Sequence, residues 1–94
     1  MRVKWYDKWF TVIVDSEVIR NHIAPKVVER LGLPHRQKLE PYALVTISGD
    51  PVPYRDGMIN LETGLVEVNI TGHNVMVNFD ILPLGQDEAV LGMI

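Results

Sequence analysis

The chain has 94 residues, 47% of them hydrophobic and 22% charged, with a net charge of -3 and no cysteine. That length holds one core and therefore one domain, residues 1–94. The missing thiols exclude disulfides, thiol catalysis and cysteine-based zinc sites, and cations that form no stripe argue against nucleic-acid binding through phosphate neutralisation.

No apolar stretch approaches the ~20 residues of a membrane span. Met1 to Phe10 mixes charge with aromatics and lacks the apolar run of a signal peptide. The expectation is an intracellular, cytoplasmic domain that uses no membrane. A short strand, Arg2 to Tyr6, leads through a tight Asp7-Lys8 hairpin into Trp9 to Val14, whose β-branched and aromatic residues favour a strand. Consecutive apolar residues in its second half (Val12, Ile13, Val14) predict burial on both faces there.

One helix is predicted, from about Pro25 to Leu31. Proline suits the first helical position, Val27, Val28 and Leu31 share a face, and Gly32 followed by Leu33-Pro34 stops the helix. Ala24 is a poor cap, at a cost of about 1 kcal/mol, and so short a helix must dock on a sheet to persist. After Pro41 the strands resume. Tyr42 to Ile47 is one, Ser48-Gly49-Asp50-Pro51 turns, and Val52-Pro53-Tyr54 is an edge or loop because proline cannot donate to a ladder. Met58 to Glu62 and Leu65 to Ile70 follow, the latter with Val66, Val68 and Ile70 alternating with Glu67 and Asn69, as one wet face requires. A hairpin at Thr71 to Asn74 opens Val75 to Leu82, Pro83 to Gln86 is a loop, and Ala89-Val90-Leu91 is a last apolar strand. Many short strands with one helix predict an all-β fold, a small barrel or sandwich.

Three segments carry a resemblance. An apolar strand ends in aspartate, Val12-Ile13-Val14-Asp15-Ser16. A loop and helix follow in Asn21-His22-Ile23-Ala24-Pro25-Lys26-Val27-Val28-Glu29-Arg30-Leu31-Gly32-Leu33-Pro34. A strand, loop and apolar-apolar-glycine motif close the chain in Ile81-Leu82-Pro83-Leu84-Gly85-Gln86-Asp87-Glu88-Ala89-Val90-Leu91-Gly92-Met93. In this order and spacing, from about Phe10 to Met93, the chain resembles the protease segment of Gag-Pol polyproteins from gypsy-class LTR retrotransposons, and more distantly the retroviral proteases.

The resemblance implies a retropepsin-like closed barrel with one short helix that works as a homodimer, each subunit giving one aspartate to a shared site. Two carboxylates about 3 Å apart cannot both ionise and so share one proton. One then acts as general base on a water while the other donates to the scissile carbonyl. By position Asp15 is the dyad residue and Ser16 the hydroxyl that braces it. The hairpin bearing Ser48, Gly49, Asp50 and Val52 is the flap over a peptide substrate, and Val90-Leu91-Gly92 packs beneath the catalytic loop. No cofactor and no metal are implied.

The chain departs from the family in two places. The tripeptide Asp-Thr/Ser-Gly reads Asp15-Ser16-Glu17, where glycine suits a backbone passing close to dyad and substrate. Glu17 adds bulk and, in a dimer, two further carboxylates that would couple to the pair. Val18-Ile19 then stands where small or hydroxylic residues are usual. The match also stops at Gly92-Met93, without the helix that follows in relatives or the terminal strand of the retroviral enzymes. The resulting expectation is a retrotransposon-derived, catalytically impaired domain for self-association or partner binding. Its alternative is an active homodimeric aspartic endopeptidase with one Asp15 per subunit.

Simpler readings stand beside these. Aspartate commonly ends a strand at a turn, and Glu17 and Asp87-Glu88 read as solvated loop acids. His22, His35 and His73 lack metal-ligand spacing. Trp5, Tyr6, Trp9 and Phe10 suit core and hairpin packing better than base stacking.

Overall fold

Residues 1–16, 18–43, 57–70 and 72–92 are described by a computed structural model. Strand β1 (Arg2–Trp5) and strand β2 (Lys8–Asp15) form an antiparallel hairpin, with Val3 opposite Phe10 and Trp5 opposite Lys8. At the turn Tyr6 takes a left-handed backbone, φ 54°, which costs a non-glycine residue roughly 1–2 kcal/mol. Its ring stands edge-on against Trp5 at 5.1 Å. Alternation along the hairpin sends Val3, Phe10 and Val12 into the core, but Ile13 and Val14 remain 42% and 44% exposed. The expected burial on both faces therefore fails. Ile13 points outward by alternation, and Val14, one residue from the strand end, lies outside the buried cluster.

The chain continues through β3 (His22–Ile23), α1 (Pro25–Leu31), β4 (His35–Ala43), β5 (Met58–Thr63), β6 (Val66–Ile70), β7 (His73–Val77), β8 (Asp80–Ile81) and β9 (Ala89–Gly92). Among the described residues seven strands form one sheet in the order β1-β2-β9-β3-β8-β5-β4, and β6 pairs with β7 alone. The last strand thus lies between two that are neighbours in sequence. It runs parallel to β2, with Val12 beside Ala89 and Asp15 beside Gly92, and antiparallel to β3, with His22 beside Val90. The segment joining β2 to β3 must therefore cross the end of β9.

The fold is all-β with one short helix, as predicted, and the helix occupies the predicted residues. Its cap Ala24 makes no side-chain hydrogen bond. Instead the Ala24 N–H donates to the Glu88 carbonyl at 2.9 Å, fixing the helix start to the chain entering β9. Gly32, at φ 68°, ends the helix in the left-handed conformation that glycine adopts without penalty. Val27, Val28 and Leu31 are buried against a cluster that includes Phe10, Val12, Ile23, Val66, Val68, Phe79, Ile81 and Leu91. Phe10 and Phe79 meet edge to face at 6.5 Å. Each such fully buried side chain supplies about 1.5–3 kcal/mol, which is what holds a helix too short to stand alone.

Three expectations need correction, the first being the single strand from Val75 to Leu82, which breaks at Asn78 and Phe79 into β7 and β8 in different sheets. No closed barrel forms among the described residues: β1 packs beside β6 without sharing a ladder with it, leaving β1 and β4 as edges. Strand β4 is also longer than the predicted Tyr42 start. Its charged run His35 to Glu40 does not look like a strand, yet an edge needs apolar residues on at most one side, and Pro41 with the irregular register between Gln37 and Tyr42 is tolerated only there.

Candidate functional site

Strand β2 ends at Asp15, and the residue beside it on β9 is Gly92. Neighbouring strands lie about 4.8 Å apart, so any side chain at 92 would face whatever crosses over the strand end. A Cβ there would run into the Val18 carbonyl oxygen and would meet the backbone N and O of Arg20 at 3.0 Å each. Glycine is required for the crossing segment to lie flat on β9. Asn21 then pins it. Its Oδ1 accepts the Gly92 N–H at 3.0 Å, and its carbonyl accepts the Asp80 N–H at 2.8 Å. The Val18 N–H donates to the Asp15 carbonyl at 3.3 Å, tightening the turn after the aspartate.

Of the residues singled out in the sequence, Asp15 closes β2 and is partly exposed, and Ser16 sits in the following turn, exposed. Glu17 and the flap residues Ser48, Gly49, Asp50 and Val52 lie outside the described residues. Segment Val90 to Gly92 does lie against the Asp15 corner. Around that corner Ile13, Val14 and Ile19 present apolar surface, Ile19 being 71% exposed.

The sequence reading missed a buried polar cluster next to the corner. Asp80 on β8 is 6% exposed. Its Oδ1 accepts from Lys38 Nζ at 2.7 Å, its Oδ2 accepts from the Tyr42 hydroxyl at 2.7 Å, and the Arg20 guanidinium lies 3.8 Å away. Glu62 joins through Arg36 at 2.8 Å and Lys38 at 3.4 Å. Burial, then the hydrogen bond to Asp80 and its charge, push the Tyr42 hydroxyl well above its ordinary pKa, so it stays a donor. The Arg36 hydrogen bond, reinforced by Lys38, holds Glu62 below the usual carboxylate range despite its burial. His22, in register beside Asp80, is held below its ordinary value mainly by burial, with Arg20 adding to the shift and Asp80 opposing it. Asn78 and Asp80 alternate with the buried Phe79 and Ile81, a pattern that by itself assigns Asp80 no partner. The return of β4, 42 residues away at Lys38, supplies its side-chain hydrogen bonds.

Glu88 also differs from its expected role as a solvated loop acid. It bonds Arg30 at 2.8 Å and accepts the Thr11 N–H at 2.7 Å, tying α1, β2 and the start of β9 together. The Arg30 hydrogen bond and, after it, the Thr11 N–H lower its pKa against the opposing effect of burial. Among the described residues no three of His, Asp and Glu converge as a metal site, and no helix is long and apolar enough to cross a membrane.

These shifts set a pH dependence. His22 resists a proton in the folded chain that it accepts in the unfolded one, so its contribution favours folding above pH 6.5 and is lost as pH falls below that value. Glu62 and Glu88 are depressed, so the stability they add is present above 4.5 and is lost as pH falls through their folded values. Both effects have the same sign. Urea unfolding followed by tryptophan fluorescence should give midpoints that fall between about pH 7.5 and 5.5 and fall further below about pH 4.5. His22→Gln should flatten the upper part alone, and a midpoint that rises on acidification would contradict these assignments.

The geometry defines a small all-β domain with an aspartate at a strand end, backed by an obligatory glycine on an inserted parallel strand. No protein-family model and no curated protein matches this chain.

Proposed function

We propose that the chain is one half of a retropepsin-type assembly, catalytically impaired and used for self-association and partner binding. The observation that carries this reading is the Asp15–Gly92 corner, with β9 running between β2 and β3. A chance turn aspartate needs no such neighbour. Here the crossing segment is packed against Gly92 and pinned by Asn21, which supports the reading by holding the turn after Asp15 against β9. Exposed Ile13, Val14 and Ile19 around the corner supply apolar surface that a partner would cover. Glu17, directly after Asp15-Ser16 where the family has glycine, is the reason to assign impaired turnover, because clustered carboxylates disturb the shared proton. A cytoplasmic setting and a peptide or protein partner belong to the same reading.

Light scattering on the purified chain should give the mass of a dimer, and Ile19→Asp should return it to a monomer. In parallel, a broad peptide library between about pH 4 and 7 should show no cleavage that Asp15→Asn abolishes. Robust turnover lost in Asp15→Asn would make the chain an active homodimeric aspartic endopeptidase instead. A wild-type chain that stays monomeric at every concentration rules out both.

A further inference from the structure

We infer that Arg20 is a carboxylate receptor beside the Asp15 corner, so that the segment bound there carries an acidic side chain. The inference rests on the partner-binding reading above and names the chemistry of that partner. Arg20 lies five positions after Asp15, and its own backbone packs on Gly92, the strand neighbour of Asp15. Its guanidinium lies over the Tyr42 ring at 4.3 Å. Its contact with Asp80, at 3.8 Å, is too long for a hydrogen bond. Both oxygens of Asp80 already accept short bonds, from Lys38 and from Tyr42, at 2.7 Å each.

The three cations of this face therefore differ in kind. Lys38 is committed to Asp80 and Arg36 to Glu62. Arg20 makes no short hydrogen bond among the described residues, and its side chain is 50% exposed. Stacking on Tyr42 orders the guanidinium in advance, which lowers the entropy lost on binding. The planar fork of N–H donors matches a carboxylate in bidentate fashion. Lys38 and Arg36 already pair with Asp80 and Glu62, which leaves the half-exposed Arg20 charge available to an anionic visitor. As a purely structural contact, a half-exposed pair at that distance contributes little.

A phage-displayed library of random decapeptides, selected against the immobilised full chain, tests this. The wild type should enrich peptides with Asp or Glu at one position, and replacing that acid by its amide should weaken binding about tenfold or more. Arg20→Gln should lose the acidic preference while still binding peptides. Arg20→Glu should turn it toward Lys or Arg; Arg20→Gln should melt close to wild type, and Arg20→Glu, which sets a second carboxylate near Asp80, should melt lower while remaining folded. Enriched peptides without an acidic position, an acidic preference that survives Arg20→Glu, or no enrichment at all would each overturn the inference. The parent reading is judged separately by light scattering, since a dimer that binds no acidic peptide sinks this inference alone.

Discussion

Gly92→Ala should destabilise the domain by about 3 kcal/mol, the upper part of the range for forcing extra atoms into packed structure. The atoms in the way are backbone, the Val18 carbonyl oxygen and the Arg20 N and O, which have no rotamer into which to retreat. Relief requires lifting residues 18 to 20 off β9, and that breaks the Asn21 bond to the Gly92 N–H. The damage should therefore extend to the corner, with shifted amide resonances at Val18, Arg20 and Asn21 and at Asp15. Gly64→Ala is the control. Its Cβ would meet only Pro34 atoms at 3.8 and 3.9 Å, ordinary van der Waals contact, so its midpoint in urea should move by a few tenths of a kcal/mol at most. With a total stability of about 5–15 kcal/mol for a domain, the first variant should be visibly crippled and the second nearly silent. Equal effects would mean that the crossing segment is not held against β9.

What the sequence reveals depends on how far apart the cooperating residues lie. Helix α1 was legible to the residue because its determinants are local: Pro25 at the start, Val27, Val28 and Leu31 on one face, Gly32 at the stop. The β1–β2 hairpin and the β6–β7 ribbon were legible in outline for the same reason, through alternation and turn residues, although the first turn falls at Tyr6-Asp7 instead of Asp7-Lys8 and the second strand of the ribbon ends at Val77 instead of running to Leu82. Pairing of Asp15 with Gly92 joins opposite ends of the chain, and no periodicity carries that information. Only the order of three motifs suggested it. Burial on both faces of Val12 to Val14 was a false inference from composition, since an apolar residue at a strand end beside an uncovered face stays exposed. Strand β4 was missed because its charged residues find buried partners on β5 and β8, a fact about tertiary arrangement. Among the described residues no barrel closes, because strand number and spacing do not decide whether β1 and β6 share hydrogen bonds.

The same non-local cluster sets the second large effect. Asp80→Leu should cost about 3–5 kcal/mol, because removing one partner of a buried ion pair strands the other. The stranded groups are Lys38, whose side chain is 11% exposed and keeps the Glu62 carboxylate at 3.4 Å and the Tyr42 ring at 5.6 Å, and the Tyr42 hydroxyl, which loses its acceptor. Lys38→Met should be milder, since Asp80 retains the Tyr42 bond and the Arg20 guanidinium at 3.8 Å, and Glu62 retains Arg36. Combining Asp80→Leu, Lys38→Met and Tyr42→Phe removes the charges and the orphaned hydroxyl together. A buried pair exchanged for apolar groups of similar volume is often near neutral, so the triple variant should recover most of the loss and be more stable than Asp80→Leu alone. Urea midpoints for the single, double and triple variants measure that coupling. Strictly additive losses would show that Asp80, Lys38 and Tyr42 act independently and that the cluster is not one cooperative unit anchoring β4 and β8 beside the Asp15 corner.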